Sequence, residues 1–140
     1  MSIMKIIILM HVLSADCPNC PRDADPVEFQ KAAEFYSVPA DLLVIWAYFE
    51  SSLDSTKVGR LGEVGLFQVH GVLRHKCEEA GLSPLGVQCG AMLIAMNTYD
   101  CGGLWAGVNK YASGKCKGTP SSRRKIRYRL LKLEKWRLNQ

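Results

Sequence analysis

At 140 residues the chain has the length of one domain with a hydrophobic core, and 48% hydrophobic beside 22% charged residues excludes a disordered or fibrous protein. The formal charge of +5 is unevenly placed: residues 115–140 carry ten Lys or Arg against Glu134 alone, a local +9 that leaves −4 on the rest. A near-neutral body with a basic end points to an anionic contact, and the basic end lacks the aromatic interleaving of a single-strand nucleic-acid binder.

Met1 to Lys5 carries one positive charge, Ile6 to Leu13 is a short apolar run, and Ser14-Ala15-Asp16 follows with small residues. This is the pattern of a secretory signal peptide over residues 1–15, with a first buried helix or strand as the alternative. The run is far short of the roughly 20 residues of a membrane span. Six cysteines follow (Cys17, Cys20, Cys77, Cys89, Cys101 and Cys116), an even count that implies three disulfides in an oxidising compartment. Cys17 and Cys20 form one CxxC in a Cys/Pro-rich entry segment, residues 16–25, but no second CxxC completes a zinc ribbon. His11, His70 and His75 form no ligand pattern either, so no metal and no cofactor is expected.

Pro26 to Tyr36 predicts a first helix with Phe29, Ala32, Ala33 and Tyr36 on its buried stripe. Ser37-Val38-Pro39 breaks it, and an apolar helix follows to Glu50-Ser51. Leu43, Trp46 and Glu50 share one face of that helix. A carboxylate ending an apolar stripe is an arrangement from which general acids are made, although a helix-end acid can simply reach solvent. Asp54, four residues on, reads as a turn acid. A polar loop with Gly59 and Gly62 leads to Gly65-Leu66-Phe67-Gln68-Val69-His70, then to a helix from Val72 to Ala80 stopped by Gly81. A long apolar helix is expected from Pro84 to about Tyr99, two more turns from Leu104 to Tyr111, and a final helix from Arg123 to Trp136 capped by Ser121-Ser122. Ile126, Leu130, Leu133 and Arg137 form one face of that last helix, with Leu131 and Leu138 adjoining. Trp46 and Trp105 read as core.

Three short motifs stand in a telling order: Glu50-Ser51, then Gly65-Leu66-Phe67-Gln68, then Tyr111-Ala112-Ser113-Gly114. With Val38-Pro39 before the first and Gly90-Ala91-Met92-Leu93 before the third, residues 26–116 resemble the soluble-lytic-transglycosylase domain of the lysozyme-like superfamily. The family's second motif has Met where Phe67 stands, and its third has Asn where Ala112 stands. The resemblance implies a single, mainly α domain of the lysozyme-like α+β superfamily with little or no sheet. It also implies lytic cleavage of the bond between N-acetylmuramic acid and N-acetylglucosamine in peptidoglycan. One carboxylate then serves twice, protonating the glycosidic oxygen and next accepting the proton of the muramic C6 hydroxyl as it closes a 1,6-anhydro ring. Glu50 takes that catalytic role.

Ser51, Gly65, Phe67, Gln68 and Tyr111 become the substrate-binding candidates, Phe67 serving either as a wall for a sugar face or as core. The resemblance further implies a bridge from Cys17 or Cys20 to Cys89, and a second between Cys101 and Cys116. Peptidoglycan strands are the expected partner. The basic helix, residues 117–140, either docks on the domain or reaches an anionic wall polymer, a membrane surface, or a secretion or phage virion apparatus; nucleic acid is not expected. The expected location is periplasmic or secreted, with virion-associated as the alternative. Two other functions remain open: a hydrolytic muramidase similar to the goose-type lysozymes, and a non-catalytic wall-binding module.

Overall fold

A computed structural model describes residues 1–140. Its elements are α1 (Ile3–Ser14), α2 (Pro26–Tyr36), α3 (Ala40–Ser51), α4 (Gly71–Glu79), α5 (Val87–Cys101), α6 (Leu104–Ser113) and α7 (Pro120–Leu138). The fold is mainly α, as expected, and no sheet forms. Extended pairing is limited to two isolated antiparallel bridges, Val58 with Val64 and Val64 with Val69. Contacts group the chain into two units, Met1–Ala91 and Met92–Gln140, with the division falling inside α5.

The first unit is built on α1, α2 and α3, which pack on one another. Asp25 caps α2 by accepting the Val27 N–H at 2.9 Å, and Pro26 supplies the first helical turn. Phe29 and Ala32 of α2 are fully buried. The helix α3 has no polar side for most of its length. Every residue from Ala40 to Ala47 is buried, Asp41 included, whose Oδ1 accepts the Leu42 N–H at 2.9 Å in the first turn. A helix surrounded on all sides is the core of its unit rather than a cover for it. The segment that reads as a leader forms α1 and contributes Ile6, Leu9, Met10 and Leu13 to this core, while Val12 and Ile8 stay exposed.

Cysteine pairing departs from the expected pattern at one end and agrees at the other. Cys101 bonds Cys116, but Cys89 bonds Cys77, and Cys17 bonds Cys20. The reason is local. Cys77 near the end of α4 and Cys89 at the start of α5 are both fully buried with Cα atoms 5.4 Å apart, so Cys89 is already satisfied. Cys17 and Cys20 meet across a single turn of the entry segment, where the Cys20 N–H donates to the Cys17 carbonyl. Three bridges are compatible with an oxidising, extracytoplasmic setting. No helix is long and apolar enough to cross a membrane.

In the second unit α6 packs on α7. Gly107 permits close approach of α6 to α5, since a Cβ there would press on the Thr98 backbone N at 2.6 Å. The helix α7 starts earlier than the serines suggest. Thr119 is its N-cap and Pro120 its first residue, while Ser122 returns the cap's hydrogen bond from the third position. Its buried stripe is Ser122, Ile126, Arg129 and Leu133. Arg137, Leu131 and Leu138, expected on or beside that stripe, are exposed, the two leucines at 55% and 85%. With Ile126 and Leu133 buried, position 129 shares their face of the helix and position 131 lies on the opposite one.

Candidate functional site

The site forms where α3 ends. The chain reverses there through two consecutive left-handed residues, Ser52 (φ 55°) and Leu53 (φ 65°). Neither is glycine, so each costs on the order of 1–2 kcal/mol. The cost is offset by burial of Leu53, which is fully enclosed, and by its carbonyl, which accepts the N–H groups of Asp23 and Ala24 at 3.2 and 3.3 Å. Asp23 then holds the next residue of the turn, accepting both the Ser55 N–H (2.8 Å) and the Ser55 hydroxyl. The hydroxyl first and the backbone N–H second stabilise its charged form, so its carboxyl lies below the ordinary aspartate range. The entry segment thereby fastens the turn directly behind Glu50.

Residues 57–69 fold over this end of the helix as a tight loop. The Gly59 N–H donates to the Glu63 carbonyl (2.7 Å), the Gly65 N–H to the Lys57 carbonyl (3.0 Å), and Val64 and Val69 exchange bonds at 2.9 and 3.0 Å. Gln68, itself left-handed at φ 51°, braces the loop from inside: its Nε2 donates to the carbonyls of Lys57 (3.0 Å) and Gly65 (2.9 Å). The Lys57 ammonium donates to the Glu50 backbone carbonyl at 2.9 Å, where the last carbonyls of a helix attract a cation.

These contacts border an open cleft of about 670 Å³ lined by Glu50, Lys57, Arg60, Glu63 and Gln68, with the exposed Val58 and Leu61 on its apolar side. Charged groups and an amide beside an apolar wall give the cleft both hydrogen-bonding and apolar contacts to offer a ligand. Glu63 is fixed in place, Oε1 accepting the Leu61 N–H at 2.7 Å. Its carboxylate and the Gln68 amide oxygen lie where a Cβ of Gly59 would be, so any larger residue there would push both side chains aside. Sequence reasoning missed Glu63, Lys57 and Arg60, having weighed Asp54 by its spacing from Glu50. Asp54 instead closes a turn, accepting the N–H and hydroxyl of Thr56 at 2.9 and 2.7 Å. The available signal was charge crowding between Lys57 and Glu63 around two glycines, next to the Gly65–Gln68 motif.

The remaining candidates are placed as follows. Glu50 is half-buried in the last turn of α3 and faces the cleft with Gln68. Ser51 is buried, and its hydroxyl donates back to the Ala47 carbonyl at 2.9 Å, inside its own helix. Gly65 (φ 82°) is buried against the backbone of Pro84 and Leu85, and its N–H is engaged with Lys57. Phe67 is core, 1% exposed, its ring lying where a Cβ of Gly90 would be. Tyr111 is half-buried on α6 in the second unit, with Ala112 exposed beside it. Trp46 is buried as expected, whereas Trp105 is 49% exposed, being on the outer side of the first turn of α6. Compared with known proteins, the chain matches no family model, no curated protein and no solved structure.

Proposed function

We propose that the protein is a peptidoglycan lytic transglycosylase acting outside the cytoplasm, with Glu50 as its acid and base. The observation that carries the reading is that Glu50, in the last turn of the buried helix α3, and Gln68, eighteen residues away, line one cleft. A glycan strand lying there offers its glycosidic oxygen to Glu50, which donates its proton as the bond to C1 breaks. The resulting carboxylate accepts the proton of the muramic C6 hydroxyl, whose oxygen closes on C1, and no water is consumed. The reading extends to a role in opening the wall locally for a secretion or phage apparatus.

Glu63 favours a second reading. It places another carboxylate in the cleft, and a pair of carboxylates is the equipment of hydrolytic glycosidases, one to protonate the leaving oxygen and one to activate water. Mass spectrometry of digested, purified peptidoglycan separates the two. The transglycosylase yields anhydro ends one water lighter than the reducing ends of a muramidase. Glu50→Gln is expected to lower turnover by about 10²–10⁴-fold, and Glu63→Gln to leave the anhydro product intact. Reducing ends from the wild type, lost in Glu63→Gln, establish the muramidase instead. A wild type that sediments with wall material and releases nothing is a binding module, and the catalytic proposal fails.

A further inference from the structure

The outer face of α7 combines cations and apolar side chains in a single stripe. Arg124, Arg127, Tyr128, Leu131, Lys135 and Leu138 are spaced three, four and seven apart, so they lie together opposite the buried Ser122–Ile126–Arg129–Leu133 stripe. All six are exposed, Tyr128 at 61%, Leu131 at 55% and Leu138 at 85%. The helix as a whole carries eight cations against Glu134.

We propose that this face docks on an anionic phospholipid surface. Charge complementarity alone would also suit a dissolved polyanion, but such a polymer offers no apolar phase. Two leucines and a tyrosine on the same stripe as the cations gain by burial only where headgroups meet acyl chains, with Arg and Lys stems reaching outward to the phosphates. The helix is about 28 Å long and too charged to enter the bilayer endwise, so it lies in the plane of the surface. Cations near an anionic membrane contribute about 1 kcal/mol each, and the apolar side chains convert that attraction into held contact. The proposal does not rest on the cleft, so Glu50→Gln is expected to partition as the wild type does.

The test is flotation of the full chain with vesicles of phosphatidylcholine alone or mixed with phosphatidylglycerol, and with soluble heparin as a competing polyanion. Wild type is expected to float only with the anionic vesicles, less so as salt rises. Leu131→Gln/Leu138→Gln, with every charge kept, should lose about tenfold in partitioning, and Arg124→Gln/Arg127→Gln/Lys135→Gln on the order of a hundredfold. Circular dichroism confirms that the variants fold, and the comparison of vesicle compositions needs no variant at all. Equal flotation on neutral and anionic vesicles overturns the proposal. So does a leucine pair that binds like wild type while heparin strips both from the vesicles, which makes the face a general polyanion reader.

Discussion

Gln68 offers the sharpest test of how the cleft is held. Its Nε2 makes two hydrogen bonds, to the Lys57 and Gly65 carbonyls at 3.0 and 2.9 Å, the first exposed and the second partly buried. Net contributions of about 0.5–1.5 kcal/mol apply to each, with the exposed one at the lower end, so Gln68→Ala should cost about 1–2 kcal/mol. The backbone adds a second, independent handle. At φ 51° the residue is left-handed, which costs an L side chain on the order of 1–2 kcal/mol. Gln68→Gly escapes that cost and returns only about 0.4–1 kcal/mol through a more flexible unfolded chain. The expected order of stability is therefore wild type, then Gln68→Gly, then Gln68→Ala. Urea denaturation with an unchanged slope measures it. If the Gln68 side chain only contacts substrate, Gln68→Ala keeps wild-type stability and its effect appears in KM alone. That result, or glycine falling below alanine, refutes the reasoning.

Three further outcomes are expected. Leu9, 1% exposed in α1, should cost about 2–5 kcal/mol when changed to alanine; Val12→Ala, on the exposed side at 57%, should stay within about 0.5 kcal/mol, and matching melting shifts for the two would mean that α1 does not pack. Serine replacement of the cysteine pairs should rank by loop length: about 3 kcal/mol for Cys101–Cys116 (separation 15), slightly less for Cys77–Cys89 (12) and about 1.6 for Cys17–Cys20 (3). Non-reducing peptide mapping that joins Cys89 to the entry segment would sink that ranking. Asp23 has its carboxyl lowered by Ser55, so its charged form adds stability above the unfolded value of about 3.9, and that stability is lost as pH falls through the folded value. The stability gap between wild type and Asp23→Asn should be full at neutral pH and close in acid; a gap that widens on acidification contradicts the assignment.

Much of the helical layout was legible because its signals act within a few residues. Pro26 after Asp25, the break at Ser37–Pro39 and the stop at Gly81 each constrain their own turn of chain, and α2, α3 and α4 lie close to where those signals put them. The start of α7 was misjudged because two caps compete in the same four residues: Thr119 and Ser122 bond reciprocally, and Pro120 fits only inside the helix, while α5 begins at Val87 rather than Pro84. Which leucines of α7 meet water is decided by the side of the helix that packs, since the angles between its residues do not depend on where it starts.

The motif residues show the same division more sharply. Gly65, Phe67 and Gln68 are recognisable as a group from sequence, yet the parts they play depend on partners far along the chain. Gly65 is small because Pro84 and Leu85 press on it, Phe67 is core because Gly90 yields it space, and Gln68 binds back across the loop to Lys57. Glu63 reaches the cleft of Glu50 only because left-handed Ser52 and Leu53 turn the chain and the Gly59–Glu63 and Gly65–Lys57 bonds close the loop above it. Periodicity, caps and cysteine parity are properties of neighbouring residues and survive in a linear string. Which carboxylates share a cleft, and which cysteine is near enough to Cys89, are decided by distances that exist only after the chain has reversed on itself.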